Sequence, residues 1–166
     1  VVDAVRPLPV VAAGGIFDGR GLASALMLGA AGVNVGTRFL ASREAPVADA
    51  YKDVIAGAAS QDAVRFSAFN RILPEIVAGG YDVALRTIRT AFVEAWEARP
   101  ADVERERQAL LQQVMQANTA GRIQELMVPA GQSAGGISGT TPAADIVADM
   151  IRDAEDTLRG TAGWLR

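Results

Sequence analysis

Two short runs near the start of the chain have the residue types of an anion site. Residues 9–16 read PVVAAGGI and residues 33–40 read VNVGTRFL, with the helically spaced GRGLASALMLGAAG between them. An apolar run ending in Gly14-Gly15, a helix, and a second run ending in Gly36-Thr37 predict a strand–turn–helix–strand unit. Its strands are expected to be parallel, with both glycine turns opening at the same end. Backbone N–H groups at such turns donate to a phosphate with no side chain in the way. In a β/α barrel the loops after the last two strands hold a phosphate in this manner. Asn34 lies two residues before Gly36, on the same side of its strand, as a polar contact for a ligand.

Other polar groups carry less. Gly131-Gln132-Ser133-Ala134-Gly135-Gly136 is a second glycine-rich segment. Alone it reads as a flexible loop, but Gln132 offers both a donor and an acceptor. Arg38 follows the second glycine turn and either neutralises a phosphate or pairs with a carboxylate; the sequence leaves both open. Asp18 and Arg20 read as charges at a helix start, where an acidic group suits the dipole. Glu104 to Arg107 read as a solvated helical face, and Phe92 and Trp96 as core. The chain has no histidine and no cysteine. The commonest general base near neutral pH is therefore missing, as are a thiolate nucleophile and sulfur metal ligands. HExxH, GxSxG and P-loop motifs do not occur. The segment is read as holding a cofactor, with no catalytic residue and no metal ligand of its own.

These turns need elements to position them. Strands are expected at 9–13 and 33–36, with a helix at 20–30 between. Ser42 is expected to cap a surface helix that turns Val47, Tyr51, Val54 and Ile55 inward. Residues 62–69 read as a short strand or extended segment and 70–80 as a loop. From Asp82 to Arg99 the spacing of Val83, Leu85, Ile88, Phe92 and Trp96 predicts one helix, followed by a second to about Gln116. Residues 122–127 read as a short helical piece. The last helix is expected at 142–159, with Thr141 as N-cap, Pro142 in its first position and Gly160 past its end. Its stripe of Ile146, Met150 and Ile151 is expected to pack beside the helix at 20–30. These elements divide the chain into barrel strands (1–41), a helical insertion (42–128), and a glycine-rich loop with the last barrel helix (129–166).

The 166 residues are 50% hydrophobic, 21% charged and 5% aromatic, with a net charge of −3. That composition suits a soluble α/β domain. Dispersed arginines and a negative balance argue against nucleic acid as a partner. No apolar run approaches the roughly 18 residues that span a bilayer. Asp3 and Arg6 interrupt the first residues where a signal peptide would be apolar, so a cytoplasmic location is expected. A complete barrel typically needs about 250 residues, and one strand pair cannot close a sheet. The chain is therefore read as the C-terminal half of a longer protein, seeking its N-terminal half or a second copy.

AAGGIFDGRGLASALMLGAAGVNVGTRFLAS resembles the C-terminal barrel segment of the flavin-dependent nitronate monooxygenases, formerly 2-nitropropane dioxygenases. GTRFLAS followed by AGQSAGGI is shared with the related flavin-dependent enoyl-acyl-carrier-protein reductases. LRTIRTAFVEAW at 85–96 is similar to the helix that opens an insertion in one branch of the monooxygenases. The resemblance implies an FMN-bound (β/α)8 TIM barrel, to which this chain supplies the seventh and eighth strands, the insertion and the terminal helix. It maps the FMN phosphate contacts onto Gly15, Asn34, Val35, Gly36 and Thr37, with Gly14 sharing the work and Gln132 counted in the cofactor-binding set. The Asn34 position more usually carries Gln or Met, Ala91 stands where the branch often has proline, and Gly136 where leucine is common. The implied reaction is oxidation of an alkyl nitronate by O2 to a carbonyl compound and nitrite. The base would come from an earlier strand, so this chain alone is expected to be inactive. Alternatives are thioester reduction on the same architecture, or a non-catalytic truncated interaction domain.

Overall fold

The computed structural model describes residues 1–72 and 84–162. A short helix α1 (Val2–Val5) leads to β1 (Val11–Ala13), helix α2 (Gly19–Met27) and β2 (Gly32–Asn34). β1 and β2 pair in parallel, from Val11 opposite Gly32 to Ala13 opposite Asn34. Asp18 starts α2 by accepting the Gly21 N–H at 2.9 Å. Gly29, at φ +87°, stops it. There the Gly29 N–H reaches Leu26 O and the Ala30 N–H reaches Ala25 O, the paired closure that a left-handed residue allows at a helix end. The expected strand–helix–strand unit is present, each element within a few residues of its predicted range.

One turn of helix, α3 (Thr37–Leu40), follows β2, and the chain then bridges Ser42 to Thr141. Ser42 is buried in that bridge and caps nothing. Helix α4 (Asp49–Gly57) starts later, after Ala48, without a side-chain cap. Pro46 explains the delay, because it pushes the residue before it out of helical conformation. α4 buries Ile55 completely, while Tyr51 and Val54 pack against the same cluster. Lys52 on α4 is buried and donates to Arg43 O at 3.0 Å.

The stretch expected to be a helical insertion also contains a sheet. β3 (Ala63–Arg65), β4 (Arg86–Ile88) and β5 (Val128–Pro129) form an antiparallel sheet in that order. The helix expected from Asp82 to Arg99 is therefore corrected over the described part: a strand precedes α6 (Ala91–Glu97). Residues 73–83 lie outside the described residues, including most of the segment read as a loop and the start of that helix. Position decides the strand. Arg86 to Ile88 bond both neighbouring strands, and β-branched Thr87 and Ile88 suit a pleated, buried surface. Thr87 is fully buried, and its Oγ1 accepts the Val128 N–H at 2.8 Å. Thr90 then ends the strand and caps α6, accepting the Val93 N–H at 3.3 Å while donating to Leu126 O at 2.7 Å.

Helices α5 (Phe69–Ile72), α6 and α7 (Pro100–Thr119) close this unit over Phe66, Ile72, Phe92, Val93, Val103 and Leu110. Phe92 and Trp96 are core, as their spacing implied, and Phe66 meets Phe92 edge to face at 6.4 Å. A one-turn 3-10 segment at Ile123–Glu125 realises the expected short helical piece.

The last helix, α8 (Ala143–Ala162), packs along α2. A Cβ added at Gly19 would lie 2.5 Å from Ala154 N and 2.6 Å from Met150 O. Backbone thus meets backbone at this crossing, and only glycine allows it. Ile146, Met150 and Ala154 are buried along that face, whereas Ile151 remains half exposed. Two expectations at the helix ends are corrected. Thr141 does not cap α8; its Oγ1 accepts from Arg38, and Glu44 accepts the Ala143 N–H at 2.8 Å. α8 also continues through Gly160, where an exposed glycine costs a helix only about 1 kcal/mol. The fold is α/β. No helix among the described residues is long and apolar enough to cross a membrane.

Candidate functional site

The two glycine turns leave the parallel pair at the same end. Gly14 and Gly15 follow β1 with φ of +94° and +74°. Two consecutive left-handed residues cost little for glycine alone. Among the described residues, neither has anything within 4 Å of the position a Cβ would take, and the same holds for Gly36 beyond β2. All three are exposed. The register sets Ala13 opposite Asn34, so both turns start from one rung of the pair. The result is bare backbone facing open space, where a bound group could approach the peptide N–H atoms.

Asn34 and Gly36 are both exposed, consistent with their spacing along the strand. Val35 alternates to the other side, lining an apolar groove with Leu22, Val33, Phe39, Met150 and Ile151. That leaves Val35 its backbone to offer on the glycine side. Thr37 is largely buried, and its Oγ1 accepts the Gly131 N–H at 2.8 Å. This bond carries the second glycine-rich segment onto the second glycine turn, with exposed Gln132 following directly.

The segment read as a flexible loop is held at several points. Gln132–Gly136 forms a 3-10 turn with Ser133 and Ala134 buried. A Cβ at Gly135 would lie 2.5 Å from Ser60 N, and one at Gly136 would overlap the Phe17 ring. Glycine at 136 is therefore matched to Phe17, which lies on the loop after the first glycine turn. The turn thus reaches one glycine turn through Thr37 and the loop after the other through Phe17. Sequence reasoning missed this pairing; the closely spaced glycines were its only local signal.

The Arg38 guanidinium is engaged with the chain ahead of α8, with the Asp149 carboxylate nearby. It donates to Gly139 O at 3.3 Å and Thr141 Oγ1 at 3.2 Å, bracing the approach to α8. Burial lowers its pKa, and the nearby Asp149 carboxylate opposes the shift. Asp18 and Arg20 serve the start of α2, as expected, paired at 3.1 Å. A polar cavity of about 310 Å³ lies behind them, lined by Phe17, Gly19 and Met150 among others. Asp18, Asp149 and Asp153 line it with Arg38, and each aspartate is also paired with another arginine, Asp18 with Arg20 and the other two with Arg152. Among the described residues no group of acidic side chains is arranged to hold a metal.

The profile of the family described as nitronate monooxygenase matches residues 1–153, taking in both glycine turns and the Gly131–Gly136 segment. The chain belongs to the nitronate monooxygenase family. It is 52% identical over 67 residues to the nitronate monooxygenase npaC of Metarhizium robertsii, a match covering 39% of this chain and 19% of that protein. It is 64% identical over 52 residues to the (3aS,4S,5R,7aS)-5-hydroxy-7a-methyl-1-oxo-octahydro-1H-indene-4-carboxyl-CoA dehydrogenase of Rhodococcus jostii, covering 31% of this chain and 14% of that one. Its fold superposes on FabK from Thermotoga maritima with a TM-score of 0.79 and 33% identity, over 99% of this chain and 49% of the other. The chain thus spans about half or less of the length of the proteins it matches.

Proposed function

We propose that residues 1–166 supply the phosphate-binding side of an FMN-dependent enzyme that oxidises alkyl nitronates with O2 to a carbonyl compound and nitrite. One observation carries the reading: two glycine turns on adjacent parallel strands, with open space where any side chain would stand. The residues present fit such a group, because N–H donors on bare backbone match a phosphate's acceptor oxygens. When bound, FMN carries the electrons of the reaction. The chain's own part is binding and orientation. Gly14, Gly15, Gly36 and Thr37 take the phosphate through their backbone. Asn34 and the backbone of Val35 face the cofactor, and Gln132 offers a donor and an acceptor beside it.

In this reading β1 and β2 are the seventh and eighth strands of a (β/α)8 barrel in a cytoplasmic protein. Residues 42–128 are the insertion, and 129–166 bring back the last helix. With no histidine in the chain, the base that handles the nitronate comes from residues outside it. The parallel pair has an exposed face and free edges, which a complementary half-barrel or a second copy would cover.

The test is flavin content. Gly36→Val in the full-length protein fills the approach to the N–H groups and is expected to lower bound flavin after purification at least tenfold. Unchanged occupancy would overturn the reading. A second reading is reduction of an enoyl thioester; one relative, a carboxyl-CoA dehydrogenase, is named for a CoA thioester. Anaerobic bleaching of the flavin by NADPH or NADH would select it; bleaching by a nitronate alone selects the first.

A further inference from the structure

The bond between the Thr37 hydroxyl and the Gly131 amide joins segments 94 residues apart, at 2.8 Å. Thr37 stands in the second glycine turn, and Gly131 opens the 3-10 turn that carries Gln132. Farther along, that turn is wedged by Gly135 against Ser60 and by Gly136 against Phe17. At its leading end, beside exposed Gln132, Thr37 is the anchor. A hydroxyl that accepts one bond retains a proton to donate, and donating it makes the oxygen a better acceptor. An anion taking the Thr37 proton would therefore tighten the grip on Gly131.

We propose that Thr37 is a positioning residue whose hydroxyl couples the glycine turns to the Gln132 loop, so that phosphate binding tightens the hold on the turn Gln132–Gly136 that is already formed. The proposal rests on the FMN reading above and assigns Thr37 a side-chain role distinct from its backbone contact. Gln132 is thereby held more firmly when the phosphate is seated.

Hydrogen exchange of the full-length protein, with and without FMN, tests it. In the unaltered protein FMN should slow exchange at Gly14-Gly15, at Gly36–Arg38 and across Gly131–Ile137. In Thr37→Val the slowing should persist at Gly14-Gly15 but shrink about three- to tenfold across Gly131–Ile137, the range set by one lost hydrogen bond. Thr37→Ser should restore it. A second pair avoids altering Thr37. Gly131 has φ −90°, near the range proline adopts, so Gly131→Pro removes the donor N–H. Gly131→Ala keeps the donor with a similar added Cβ. The proline variant should lose the loop response and the alanine variant should keep it. Full slowing at 131–137 in both Thr37→Val and Gly131→Pro would overturn the coupling while leaving the FMN reading intact. No slowing at any of the three segments in the unaltered protein would overturn the FMN reading and the coupling with it.

Discussion

The antiparallel sheet β3–β4–β5 and the parallel pair β1–β2 treat their backbone and apolar surface in opposite ways. In the antiparallel unit the central strand is bonded on both sides, Thr87 is 0% exposed, and two threonine hydroxyls satisfy backbone groups that strand pairing leaves over. Its apolar residues close on each other around Phe66, Phe92 and Val93. In the parallel pair Val11 is 58% exposed, and the strands end in glycines with nothing above them. Parallel sheets are ordinarily covered on both faces. The first unit is covered on both faces, its other side by Ala41, Ile55, Ala134 and Ile137, whereas the second is left more open.

The contrast can be broken most strongly at its closed side. Phe66→Ala removes a ring that is 1% exposed and should cost about 3–5 kcal/mol in urea unfolding. A loss below 1 kcal/mol would mean that the antiparallel unit is not the closed core described here. A glycine pair sharpens the contrast at intermediate size. Gly19→Ala drives a methyl into α8 backbone and should cost about 1–3 kcal/mol. Gly36→Ala, facing open space at φ −95°, should stay within about 0.5 kcal/mol. Equal costs would erase the distinction between a packing glycine and an access glycine.

A further, modest effect lies where the halves of the chain meet. Tyr51 on α4 donates to Pro129 O at 2.7 Å, and burial pushes its phenol well above the usual value. Tyr51→Phe should cost about 1 kcal/mol at neutral pH. The folded protein holds the Tyr51 proton more tightly than the unfolded chain. That stability is fully present below the unfolded tyrosine pKa of about 10 and declines as pH rises beyond it. The phenylalanine variant should show a shallower alkaline slope in unfolding; an unchanged slope would show that Tyr51 is not the titrating group.

Local rules reached most of the parallel strand–helix–strand unit and much of the helical part. The alternation of apolar runs and glycines located β1, α2 and β2. Asp18 marked the start of α2, and Pro100 the boundary between α6 and α7. The reading failed at Arg86–Ile88, where Leu85, Ile88, Phe92 and Trp96 keep helical spacing across a strand and a capped helix. Periodicity cannot register that Thr90 is a cap when apolar residues at helical spacing continue before and after it. It failed again at Ser42 and Thr141, two cap-like residues that bridge to each other instead.

The sequence by itself determined where backbone is bare. Glycine at 14, 15 and 36 is a chemical fact that needs no partner, and it leaves the backbone there without a side chain wherever the turns lie. Tertiary structure alone decided what stands around those turns. That Thr37 holds Gly131, that Gly136 makes room for Phe17, and that Arg38 braces the approach to α8 are contacts between residues far apart in the chain. Such contacts leave no local periodicity, because they depend on how finished elements pack rather than on the spacing of residues within one. The openness above the glycines was likewise unreadable, since empty space belongs to the fold and to no single residue.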